Sequence, residues 1–283
     1  MAPLLGWIVN WLYRKKNEAN FAQWTNLFFW AIFTHPLLDC LTTYGTQLFL
    51  PFSDHRVSIA SVFVVDFFYT VPFLLSVIAV SFINRTNGWR RKINYLGLGL
   101  SSAYLLTGFM NKYLVTDVFK KDLASEPEKK ELVFVGTTPL NIILWYGIAE
   151  TDSAFHIGYY SFFDESEDVS WVSFQKNHGL IAGIENEYGV ERLRWFSDQL
   201  FVLTQPSADT INFYTLKFGR SSFKSTMPEE SFIFYLQIIK NEDGSLTYGS
   251  IRNTAALDPK KQLGELYDRV MGRQTRTVPS SQN

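Results

Sequence analysis

Cysteine is almost missing from this 283-residue sequence, and the single one, Cys40, excludes both an internal disulfide and a cysteine-rich zinc site. A charge excess is missing too. The 26 Lys and Arg residues nearly balance 27 Asp and Glu, for a formal net charge of −1, and no basic patch of the size a nucleic-acid binder uses is present. There is no glycine-rich phosphate loop, no Gly-x-Ser-x-Gly elbow and no repeat of useful length. Low complexity is confined to the tail 273–283, which is expected to be disordered.

What the chain has is apolar residues, 47% of the total, distributed unevenly. From Leu27 to Pro51 the one formal charge is Asp39, accompanied by His35, and from Val57 to Ile83 it is Asp66. Each run exceeds the roughly 20 residues a helix needs to cross hydrocarbon. Ile93 to Val115, with Lys112 near its end, is a third and weaker run. Ala2 to Tyr13 reads as a helix of half the spanning length, since its residues rise only about 18 Å. Trp7, Trp11, Trp24, Trp30 and Trp89 lie near the ends of these runs, where such rings either favour the headgroup level or simply pack.

The fold expected is therefore an α-helical membrane domain over 1–116, with about three full spanning helices plus the partial one. A linker over 117–130, a soluble α+β domain over 131–272 and the tail 273–283 follow. Basic clusters at Arg14, Lys15 and Lys16 and at Arg85, Arg90, Arg91 and Lys92 place two loops in the cytoplasm and the polar half on the far side. In that half, strands are expected at Leu132–Val135, Asn141–Ala149, Phe155–Phe163, Trp171–Phe174, Thr210–Phe218, Phe232–Ile239 and Ser245–Ile251. Helices are expected at Val190–Leu203, with Leu193, Phe196, Leu200 and Leu203 on one side, and from Asp258-Pro259 to about Met271.

Ionisable groups inside an apolar run are costly and point to chemistry or ion binding. His35 and Asp39 are four apart, so one helix face presents both, the spacing at which one element gives a metal two ligands. Thr42 and Thr46 continue that stripe. In an antiparallel helical hairpin Asp39 and Asp66 fall at similar depths, about 16 Å and 13 Å from the connecting loop. One imidazole and two carboxylates suit zinc, manganese or iron. The alternative is a hydrogen bond from His35 to either acid that only locks the helices together. Arg56 is expected at the mouth, holding an anionic group or anchoring the helix, and His55 is expected to be solvated. His156 and His178 have no acidic partner at ligand spacing and read as surface or strand residues, while Asp164, Glu165, Glu167 and Asp168 form an acidic, solvated loop.

The sequence Thr34-His35-Pro36-Leu37-Leu38-Asp39, the following Thr42-Thr43-Tyr44-Gly45-Thr46, the Pro51-to-Arg56 loop and Val64-Val65-Asp66-Phe67 resemble the YdjM-like family of bacterial inner-membrane proteins, described as LexA-binding or as metal-dependent hydrolases. Thr138-Pro139-Leu140-Asn141 and Gly158-Tyr159-Tyr160-Ser161 look like the longer members. The resemblance implies a multi-pass inner-membrane protein holding a divalent ion, zinc or manganese, through His35, Asp39 and Asp66. Arg56 and Thr42 stand on the substrate side. A distant similarity to zinc-dependent phospholipases C implies a phosphoester, lipid-derived, as substrate, with membrane lipid and no nucleic acid as partner. The family's first hairpin, with its Pro-Asp and His-Arg-x-x-Thr-His-Ser motifs, has no counterpart here, so more chain upstream or an incomplete metal site is expected. The other function in view is a non-catalytic membrane protein whose polar half binds a partner.

Overall fold

Pro3 opens the first helix, α1 (Ala2–Tyr13), at a position where a missing N–H costs nothing. Asn20 starts α2 (Phe21–Asp39) through a reciprocal cap: Gln23 N donates to Asn20 Oδ1 and Asn20 N donates to Gln23 Oε1, both at 2.9 Å. The computed structural model describes residues 1–15, 19–126, 128–220, 229–250 and 259–273. Two compact units divide the chain, Met1–Ala60 and Ser61–Asn283. In the first, α1 packs against α2, and beyond Asp39 the chain is irregular, held by a bridge between Thr46 and Val57 and by Ile59 N donating to Cys40 O at 2.6 Å.

In the second unit, Asp66 caps α3 (Phe67–Phe82), which packs on the long α4 (Gly88–Ser125). Two antiparallel sheets follow. The first has the order β1 (Glu131–Thr137), β2 (Leu144–Glu150), β3 (Ala154–Ser161), β4 (Val172–Gln175). The second has the order β5 (Phe201–Ser207), β6 (Thr210–Arg220), β7 (Phe232–Lys240), β8 (Leu246–Ser250). Helix α5 (Tyr188–Phe196) precedes β5, and α6 (Pro259–Val270) follows β8.

Strand alternation decides the layers. Tyr146, Ile148, Phe155 and Ile157 of the first sheet meet Val202, Tyr214 and Leu216 of the second in one core. The opposite face of the second sheet, through Phe201, Leu203, Phe213 and Ile238, packs on Val190 and Leu193 of α5. Helix α4 docks on the first sheet by Asn111 Nδ2 donating to Ile142 O at 2.9 Å and by Asp122, which accepts from Val169 N at 3.0 Å and Trp171 Nε1 at 2.7 Å. The order is helix, sheet, sheet, helix.

The expected spanning helices are overturned: among the described residues no helix is long and apolar enough to cross a membrane. The run Leu27–Pro51 is helical only to Asp39, and α2 carries Gln23, Thr25, Asn26, Thr34 and His35 along its length. The run from Val57 becomes helical only at Phe67, and the 16 residues of α3 rise about 24 Å against a hydrocarbon core of about 30 Å. Helix α4 has 38 residues, but Asn94, its glycines, serines and threonines, and its flanking charges dilute the apolar stretch. The cytoplasmic and far sides assigned from the basic clusters counted those spans and lose their basis. Large apolar side chains nevertheless stand exposed on these helices, among them Trp7, Trp30, Phe33, Phe67, Leu75 and Phe109.

The segment read as a linker, 117–130, is helical as far as Ser125. The helix expected over Val190–Leu203 ends at Phe196, and Leu200 and Leu203 belong to the entry and interior of a strand. Asp258, Lys16 and the tail 274–283 lie outside the described residues.

Candidate functional site

His35 and Asp39 meet as the i, i+4 spacing requires. His35 Nε2 is 3.5 Å from Asp39 Oδ2, and the side chains are 77% and 46% exposed. In water such a pair contributes little to stability, about 0–1 kcal/mol. Its exposure leaves an imidazole nitrogen and a carboxylate reachable by an ion, two of the three protein donors a catalytic zinc takes.

Asp66 is in the second unit and is engaged differently. Its Oδ1 accepts from Phe68 N at 3.0 Å and Tyr69 N at 3.2 Å, and its Oδ2 accepts from Tyr104 Oη at 2.8 Å. Only 2% of it is exposed. Burial raises its pKa above the usual 3.8, against the opposing pull of the Tyr104 and backbone hydrogen bonds. Tyr104 is pushed up in turn, by burial and by the Asp66 carboxylate. The continuous helical hairpin that was to level Asp39 with Asp66 is not there, because residues 40–66 contain no helix. Among the described residues, no group of three or more His, Cys, Asp or Glu side chains is placed to hold a metal ion.

The polar stripe ends with α2. Thr42 lies past its C-terminus and turns its hydroxyl back to donate to Asp39 O at 2.7 Å. Arg56 is buried, its guanidinium carbon 5.0 Å from the centroid of the Tyr44 ring. His55 is exposed, with its backbone N–H donating to Ser53 Oγ at 3.2 Å.

Several buried or half-buried charges in and around the sheets escaped the sequence reading. Lys217 of β6 is 1% exposed and pairs with Asp198. Lys112 of α4 is pushed down to about 8, by burial first and then by the charge of Lys217. Arg220 donates through Nε to Ser231 Oγ at 2.7 Å and lies 5.0 Å from the Phe174 ring. Asp164, read as part of a solvated acidic loop, is held by Arg269 through Nη1 at 2.6 Å and Nη2 at 2.8 Å, and both side chains are buried. A lone Lys within Leu216-Lys217-Phe218 was the visible signal for the first. Nothing local marks Asp164, whose partner lies 105 residues away.

These parts define a protein with an exposed apolar helical portion and a two-sheet portion carrying buried ion pairs. Residues 1–115 match the family model described as YdjM inner membrane protein, so that stretch is similar to that family. The match takes in α1 to α3 and most of α4, while the Thr138–Asn141 and Gly158–Ser161 segments lie beyond it. No curated protein and no solved structure matches the chain.

Proposed function

We propose that the protein is a membrane-associated, metal-dependent hydrolase in which His35 and Asp39 hold a divalent ion, zinc or manganese. The observation that carries this reading is the pair itself, an imidazole and a carboxylate 3.5 Å apart and exposed near the C-terminus of a helix rich in Leu, Phe and Trp. The pair supplies two of the protein donors such a site uses and leaves positions open for water and substrate. A bound ion of this kind lowers the pKa of its water and polarises a scissile ester. The family description, YdjM inner membrane protein, and the exposed Trp7, Trp11 and Trp30 support association with the membrane. Amphipathic rings of this type settle at the headgroup level. A phosphoester, lipid-derived, is the substrate class this arrangement would meet there, with Arg56 and Thr42 as the substrate-side residues of this reading.

The test is hydrolysis of bis(p-nitrophenyl) phosphate by the full chain in lipid vesicles, with zinc or manganese supplied. Turnover should stop on chelation and fall roughly 100-fold in His35→Ala and Asp39→Ala, the scale on which metal-site residues act. Turnover indifferent to chelator and to both substitutions, or none with either metal, overturns the proposal.

One observation favours a second reading. All three hydrogen bonds to Asp66 serve the α3 cap and the α3–α4 contact, which is what a structural acid does. In that reading the helices hold the chain at the membrane and the sheets bind a partner.

A further inference from the structure

His156 and Ser173 are register partners on the antiparallel strands β3 and β4, so their side chains share one face of the sheet. His156 Nδ1 lies 2.8 Å from Ser173 Oγ, and on the other side of the ring Nε2 lies 3.4 Å from Thr151 Oγ1. The Thr151 hydroxyl donates to Ala154 O at 3.2 Å and accepts from Ala154 N at 3.2 Å. With that hydroxyl hydrogen committed to a carbonyl, the ring hydrogen belongs on Nε2, pointing at Thr151. The Nδ1 lone pair then receives the Ser173 hydroxyl. His156 is 5% exposed whereas Ser173 is exposed, so the base is sheltered and the hydroxyl reachable.

The groups around the ring keep it neutral. Burial is the largest influence lowering the His156 pKa below its ordinary value, Lys130 adds to it, and Glu128 and Glu126 oppose. A neutral imidazole near pH 7 is the form that can take a proton.

We infer that Ser173, His156 and Thr151 form a nucleophile, a base and a positioning residue able to cleave esters and other activated acyl groups. Ser173 Oγ bonds to the acyl carbon while its proton passes to His156 Nδ1. The ester C–O bond breaks, and the departing alkoxide takes that proton and leaves as an alcohol. Water, losing a proton to Nδ1, then bonds to the acyl carbon; the bond from that carbon to Ser173 Oγ breaks, Oγ takes the proton back from Nδ1, and the carboxylic acid leaves. Nothing in this sequence involves His35, Asp39 or a metal, so it stands or falls apart from the function proposed above.

The experiment is reaction of the full chain with a fluorophosphonate probe, in which the serine oxygen bonds to phosphorus and fluoride leaves. Labelling should map to Ser173 by peptide mass spectrometry, vanish in Ser173→Ala and ignore chelators. It should slow about 100-fold in His156→Gln, as for loss of a general base. Below the His156 midpoint the rate should drop tenfold per pH unit. Thr151→Val should move that midpoint, which a purely structural threonine would not do. Because His156 is buried and its replacement can fail to fold, the pH profile of the unaltered protein carries the same information. Absence of label at Ser173, or label there at a rate flat between about pH 5 and 8, where histidine titrates, overturns the inference.

Discussion

Tyr104 Oη donates to Asp66 Oδ2 at 2.8 Å, joining the N-terminus of α3 to the middle of α4 across 38 residues of sequence. Asp66→Ala should cost about 1 kcal/mol for the lost cap. A further 1–3 kcal/mol or so follows from leaving the Tyr104 hydroxyl without its acceptor. Asp66→Asn keeps an oxygen for the backbone amides and should cost less. Thermal unfolding followed by circular dichroism separates the two, and an alanine variant as stable as the parent contradicts the assignment.

Two glycines set how closely the helices approach within each unit. A Cβ on Gly6 of α1 would lie 2.8 Å from Thr25 N of α2, and backbone cannot yield. A Cβ on Gly97 of α4 would lie 2.0 Å from Ser76 Oγ and 2.5 Å from Ser76 Cβ of α3, and the Ser76 Cβ cannot rotate away. Gly6→Ala and Gly97→Ala should therefore each destabilise, by the 1–3 kcal/mol or so typical of overpacking. Either variant as stable as the parent in chemical denaturation would be inconsistent with this geometry.

His156, buried, and His178, half-buried, shape the acid side of the stability profile. Burial depresses the pKa of both His156 and His178 in the folded chain, below the ordinary 6.5. Between those depressed values and 6.5 the unfolded chain binds protons that the folded chain does not, so stability falls as pH drops through that window. Asp66 has the opposite sign: its folded pKa is raised, and the folded state gains as pH falls from that raised value towards 3.8. In Asp66→Asn, where no carboxylate offsets the histidines, melting temperature should decline from pH 7 to pH 5.5. A rise over that interval would show that the histidines are not buried as neutral rings.

Asp164 and Arg269 form a two-pronged ion pair, and Arg269 Nη2 also donates to Tyr159 O at 2.7 Å, fastening α6 to the first sheet. Asp164→Asn leaves a buried guanidinium uncompensated and should destabilise by about 3–5 kcal/mol. Urea unfolding of the variant beside Asp168→Asn, in the exposed part of the same loop, tests it. Equal effects would contradict the pairing.

Strands were legible wherever local composition decided them. The bounds of β6, β7 and β1 fall close to those read from β-branched and aromatic runs, and α1 covers Ala2–Tyr13 as expected. Strand β5 was hidden, because Leu193, Phe196, Leu200 and Leu203 keep helical spacing through a break made by two residues with positive φ, Asp198 at 52° and Gln199 at 64°. Neither is glycine, so no local signal marked the stop. The apolar runs around Asp39 and Asp66 were read as spanning helices because hydropathy reports burial from water and not the place where a helix ends. The His35–Asp39 pairing follows from spacing alone. The bonds of Asp66, Asp164 and His156 to Tyr104, Arg269 and Ser173 depend on long-range packing that no window of sequence contains.

The most direct measurement is the metal content of the purified full chain by inductively coupled plasma mass spectrometry. About one divalent transition-metal ion per chain is expected in the parent and far less in folded His35→Ala and Asp39→Ala, because ligand loss removes the binding free energy. A parent protein that folds without metal, and that neither substitution alters, would contradict the account.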